Sequence, residues 1–215
     1  MNSISDHHPR MRLLLRLLPL LSLVLVACSS APQRFYTLAA PAAGSSSAPT
    51  VAVPLLIEVL PVTVPAQVDV PQIVVRIGND ELAPVETRRW IAPLAEEIRA
   101  ALSDDLVRVL AARDVHGIGA GTDAPTYRVA MRITRFESSL GAYARIDASW
   151  SITATNKPDG GLACSAGATE SIAPGYEALV AGHQRALTAI AEIIAADITA
   201  LRNGGVAKDC AATLR

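Results

Sequence analysis

Between Tyr143 and Thr155 apolar and polar side chains alternate at every step. Ala144, Ile146, Ala148, Trp150, Ile152 and Ala154 fall on one side. Tyr143, Arg145, Asp147, Ser149, Ser151 and Thr153 fall on the other. Successive side chains of a strand point to opposite faces, so this period of two specifies a strand that is dry on one face and wet on the other. Such strands belong to antiparallel sheets covered on one side only. Something else in the chain must therefore supply an apolar cover.

The neighbouring segments extend the sheet. Asn156 to Gly161 holds Pro158, Asp159 and two glycines and reads as a hairpin turn. Residues 162–172 return as a strand that carries Cys164. Residues 127–136 place Tyr127, Val129, Met131 and Ile133 on one side and Arg128, Arg132 and Thr134 on the other. Upstream, residues 51–64 are rich in Val, Leu and Ile but are interrupted by Pro54 and Pro61, which favours an edge or a bulge. Residues 72–77, Gln-Ile-Val-Val-Arg-Ile, and 81–85 form a second hairpin around Asn79-Asp80.

Two helices supply the cover. Over residues 88–112, Trp90, Leu94, Ile98, Leu102, Leu106, Val109 and Leu110 recur at helical spacing, with Glu96, Glu97, Arg99, Asp104 and Arg108 mostly opposite. Asp104 and Asp105 read as a solvated face. Over residues 176–202 the stripe is Leu179, Val180, His183, Leu187, Ile190, Ile194, Ile198 and Leu201, and Asn203-Gly204-Gly205 stops it. His183 falls near the apolar stripe and reads as structural. The fold class is α+β: a mainly antiparallel sheet with two long helices packed on one face.

The front of the chain carries an address. His7, His8, Arg10, Arg12 and Arg16 precede an apolar run from Leu17 to Ala27, which ends at Leu25-Val26-Ala27-Cys28. A basic region, a short apolar run and a small residue before a cut make a secretory signal. The run is shorter than the roughly 20 residues that span a bilayer. The quartet at 25–28 has the form of a lipobox, in which Cys28 accepts the lipid. Ser29 comes next, the outer-membrane address of enterobacterial sorting. The expected organisation is a lipoprotein signal peptide over 1–27, a lipid-anchored flexible tether over 28–50, one domain over 51–203 and a tail over 204–215. The tether expectation rests on residues 39–50, AAPAAGSSSAPT, which have nothing to bury.

Charge and cysteines narrow the function classes. Outside the leader, acidic residues exceed basic ones by three, so no basic surface suits nucleic acid. Cys164 and Cys210 remain after Cys28. In an oxidising compartment an even pair invites a disulfide, which would pin the tail to the domain; the alternative is two independent cysteines. His116 and His183 have no ligand-like spacing to either, so no metal is expected. The sequence holds no G-x-S-x-G, S-x-x-K or H-E-x-x-H pattern. Gly117 to Gly121 is glycine-rich but comes after a helix and lacks lysine, so it reads as a connection. Neither an enzyme nor a cofactor is expected.

Several segments belong together: Cys28, Phe35-Tyr36-Thr37-Leu38, Asp69-Val70-Pro71-Gln72-Ile73-Val74-Val75-Arg76, and Glu86. Trp90-Ile91-Ala92-Pro93-Leu94, Arg145-Ile146-Asp147-Ala148-Ser149-Trp150 and the C-terminal helix complete them. In this combination the chain resembles the PqiC-like (YmbA, DUF330) family of ABC-type transport auxiliary lipoproteins. The chain departs from the pattern at Val70, where the family usually carries arginine. The resemblance implies an MCE-domain protein of an ABC transport system as partner. It implies a place in the cell envelope, at the periplasmic face of the outer membrane, where such a lipoprotein docks lipid-transport machinery. Read from the residues alone, Pro71, Gln72, Ile73, Val74 and Arg76 are either a strand edge offered to a partner or a core strand. The alternatives are a lipid-binding carrier and an assembly lipoprotein of another envelope complex. A homo-oligomer, such as a ring meeting a tubular partner, is compatible with the residues, which set no number.

Overall fold

The computed structural model describes residues 31–40, 55–119, 124–204 and, as backbone, 211–214, with side chains omitted at 158–160. The expected signal peptide and Cys28 lie outside these residues, as does Cys210.

The predicted alternation is realised as a long meander. Strand β6 (Thr126–Ser139) pairs antiparallel with β7 (Tyr143–Ala154), and β7 with β8 (Lys157–Ser171). Along β7 every second residue is buried, from Ala144 to Ala154. A register shift between Ile133 and Arg135 resets the alternation of β6, so Phe136 and Ser138 turn inward where a straight strand would turn them out.

Shorter strands flank the meander. On one side lie β2 (Leu55–Val59) and β5 (Ala112–Asp114), giving the order β5-β2-β6-β7-β8-β9. On the other, β9 (Ala211–Leu214) pairs parallel with β8, so part of the expected tail is a strand. A second sheet of order β1-β4-β3 is built from β1 (Arg34–Tyr36), β4 (Leu82–Trp90) and β3 (Gln72–Arg76). The pairings β1–β4, β2–β5, β2–β6 and β8–β9 are parallel. The sheets are thus mixed, although the longest ladders are antiparallel as expected.

Helices α1 (Leu94–Leu110) and α2 (Tyr176–Arg202) cover the dry face. Leu94, Ile98, Leu102 and Leu106 of α1 meet Leu179, Leu187, Ile190, Ile194 and Ile198 of α2 in one core with Ile146, Ile152 and Val129. Each such side chain contributes roughly 1.5–3 kcal/mol on burial. Gly182 lets α2 approach the sheet, since a Cβ there would meet Ile172 and Ala144.

Three expectations need correction. Residues 88–90 are not helical: Arg88, Arg89 and Trp90 pair with Arg34, Phe35 and Tyr36 of β1, and α1 begins only after Pro93. A proline is well suited to the start of a helix but not to its interior. The folded part begins before Val51, because β1 is a strand and Leu38 is fully buried. The stretch expected as tether therefore contains part of the domain. Asp105 is not on a solvated face; it is buried, accepting from Arg108 Nη2 at 2.6 Å and from Thr188 Oγ1 at 2.8 Å, which ties α1 to α2.

Candidate functional site

The candidate partner-binding residues all lie on or beside β3, an edge of the three-stranded sheet. Their side chains divide by parity. Ile73 and Val75 are buried; Gln72, Val74 and Arg76 are half-buried, and Pro71 is exposed. The Pro71 carbonyl accepts from the Trp90 amide at 2.9 Å, and Gln72 Nε2 donates to Glu86 at 3.3 Å. Core strand and exposed edge are thus two sides of one element.

Arg76 links this edge to the open face of the large sheet. Its Nη2 donates to Glu137 Oε1 at 2.8 Å, and that bond raises the guanidinium above its ordinary value. Glu137 also accepts from Arg135 at 3.4 Å and from the Tyr143 hydroxyl at 3.2 Å. Arg135 reaches Asp147 at 3.1 Å, and Arg145 grips the same carboxylate through Nε and Nη2. The fork geometry of Arg145 on Asp147 raises that guanidinium too. Three arginines thus share two carboxylates. The β6 bulge gathers them, because it brings Arg135 and Glu137 onto the outer face together. Sequence reading missed this network; Arg145 and Asp147 two apart on a wet face were the available signal.

Beside the network the open face is mostly Ala and Ser, with the exposed Arg132 among them. Ala130, Arg132, Ser149, Ser151, Ala163 and Ser165 line a shallow depression of about 650 Å³. Among the described residues no three His, Cys, Asp or Glu side chains come together as metal ligands, and no helix is long and apolar enough to cross a membrane.

Similarity to known proteins places this arrangement in a family. The family described as "ABC-type transport auxiliary lipoprotein component" matches residues 36–195. The chain belongs to that family. Two solved structures share the fold of this auxiliary lipoprotein. One is a protein of uncharacterised function at 17% identity and a TM-score of 0.59, covering 78% of this chain and 99% of its own. The other is a DUF330 protein from Xanthomonas campestris at 19% identity and a TM-score of 0.53, covering 71% and 89%. None of the curated proteins is detectably similar in sequence.

The auxiliary lipoprotein also buries one Ser–His contact that sequence did not single out. Ser138 Oγ and His183 Nε2 lie 2.8 Å apart, and the imidazole stacks on Phe136 at 4.0 Å. His183 is fully buried, its Nδ1 has no hydrogen-bond partner among the described residues, and burial lowers its pKa to about 3. A nucleophile–base pair needs a third group to orient the base and a path for substrate. Here Nδ1 meets neither, and Ser138 is itself buried. The pair braces α2 against β6.

Cys164, on the inner side of β8, is disulfide-bonded. The β8–β9 ladder begins at Ser165↔Ala211, one residue after each of the positions 164 and 210.

Proposed function

We propose that this auxiliary lipoprotein is a non-enzymatic adaptor. Lipid on Cys28 holds it in the inner leaflet of the outer membrane. There it docks an MCE-domain protein of an ABC-type system that moves lipid between membranes. The observation that carries this reading is how apolar surface is used. Both helices bury most of their apolar stripes in the core, with Val109 left exposed, and the outward surface includes an edge strand joined by Arg76 to a charged sheet face that continues into Ala and Ser. That is a surface for recognising a protein partner: an edge for backbone pairing and fixed charges for register. Pro71, Gln72, Val74 and Arg76 are its centre, and Ile73 holds the strand down. Copies of the chain arranged around a tubular partner would repeat this edge.

The direct test is capture of the MCE-domain protein encoded in the same genome by the lipidated protein. No association at micromolar concentration would overturn the adaptor reading. Mass spectrometry of protein extracted from membranes should show diacylglyceryl on Cys28; an unmodified residue there would overturn the anchor.

A lipid carrier is the second reading. It needs a cavity between helices and sheet, and that interface is filled by Leu94, Ile98, Leu102 and Leu106. Native mass spectrometry would favour the carrier if a phospholipid travelled with the domain. We further propose that the partner of Cys164 is Cys210, which would staple β9 to β8. A peptide map without a 164–210 link would reject this.

A further inference from the structure

Five residues, 29–33, separate Cys28 from Arg34. Fully extended, that stretch spans about 20 Å. The headgroup layer takes up roughly 5–8 Å of it. A domain of this size has a radius of gyration of about 16 Å. The leash is therefore shorter than the body it holds, and only the end of the domain around β1 can face the bilayer.

The base of the leash is also rigid. Leu38 is buried and its amide donates to Glu97 of α1 at 2.8 Å, as does the Thr37 hydroxyl. Gln184 of α2 donates to the Thr37 carbonyl at 3.2 Å, and the Tyr36 hydroxyl donates to Glu177 at 3.3 Å. The residues beside this base are unusual for a soluble surface. Phe35 is 55% exposed and Ile91 is 62% exposed. They are neighbours: Phe35 pairs with Arg89, and the Ile91 amide donates to the Tyr36 carbonyl at 2.9 Å. Leu140 is exposed in the β6–β7 turn, and that turn packs through Gly141 on Pro174, two residues before Tyr176, whose ring meets Tyr36. Arg34, Arg88 and Arg89 lie at the same end, Arg34 paired with Glu177 at 3.4 Å and Arg89 with Glu86 at 4.0 Å. Apolar tips beside arginines suit the boundary between acyl chains and phosphates.

We propose that the β1 end of the domain seats on the bilayer, with Phe35 and Ile91 entering the headgroup layer beside the anchor. This rests on acylation of Cys28. It gives the protein a fixed orientation, with β5 and the 117–119 loop pointing into the periplasm. Ile118, also exposed, belongs to that far end, because the loop lines a hollow with Thr126 and Thr155, at the start of β6. The fourteen residues of β6 put it about 45 Å away.

The test uses the full lipidated protein reconstituted in vesicles of phosphatidylcholine and phosphatidylglycerol, with and without dibrominated acyl chains. Phe35→Trp, Ile91→Trp and Ile118→Trp each add one exposed reporter to the buried Trp90 and Trp150. Brominated lipid should quench the reporters at 35 and 91 several-fold more than the one at 118. If the protein floats with the vesicles but 35 and 91 are not quenched, the seating is wrong and the anchor stands. Equal quenching at all three positions overturns the fixed orientation. Failure to float at all removes the anchor and the proposal together.

Discussion

The two faces of the β6–β7–β8 meander share one backbone and obey different rules. The covered face carries Ala144, Ile146, Ala148, Trp150 and Ile152, all buried beneath two helices. Its residues are chosen by volume, and Gly182 of α2, which faces them, is held by lack of space. The open face carries Arg135, Glu137, Arg145 and Asp147, then serines and alanines. Its residues are chosen by charge and size, and Asp147 there leaves no room for a Cβ at Gly167. One face specifies the structure; the other is free to specify a partner.

Acid should separate the two faces most sharply. Burial lowers His183 from 6.5 to about 3. Between those values the unfolded chain, with its ordinary imidazole, binds a proton that the native chain does not. The native state's stability is therefore whole above the ordinary value and is lost as pH falls toward the lowered one. The loss should approach about 4–5 kcal/mol across that window. Denaturant midpoints measured at successive pH values for the native chain and for His183→Phe should diverge in slope over that range. Parallel curves would mean the imidazole is not held neutral.

Truncation on the covered face comes next. Ile146→Ala should cost about 3 kcal/mol by removing a fully buried side chain under α2. Gly182→Ala should cost about 1–2 kcal/mol, because the new methyl pushes α2 off Ile172 and Ala144 although alanine favours helix. Thermal unfolding would read both; a stabilised Gly182→Ala would show that the helix can retreat freely.

The open face should give the smallest change in stability and the largest in recognition. Arg76→Ala is expected to cost about 1 kcal/mol, since the part-buried Glu137 loses one partner but keeps Arg135 and the Tyr143 hydroxyl. The same variant should lose capture of the MCE-domain protein proposed as partner. A variant that melts early yet still binds would reverse the assignment of the two faces.

The meander and α2 were legible because their periods are long and unbroken: β7 alternates from end to end, and α2 occupies 176–202 as its stripe indicates. What escaped depends on residues far apart in the chain. Trp90 stands at helical spacing from Leu94 and Ile98, and pairing with β1, more than fifty residues earlier, and with the start of β3 makes Arg88-Arg89-Trp90 a strand. β1 and β5 are three-residue strands, too short to show a period. Asp105 looked like one of a solvated pair, and its partner Thr188 lies on the other helix. The arginine–carboxylate network depends on a bulge in β6, which no pattern in 126–139 announces.

The clamped segment from Arg34 to Ala39 has a mechanical consequence. If the anchor holds one side of the envelope and a transport partner pulls from the other, tension enters the fold at β1. There it meets three strand rungs against β4, two bonds to Glu97 and the Gln184 grip, which spread the strain into both helices at once. A tug on the lipid would thus be borne by the whole body, and the strap would not peel away from it.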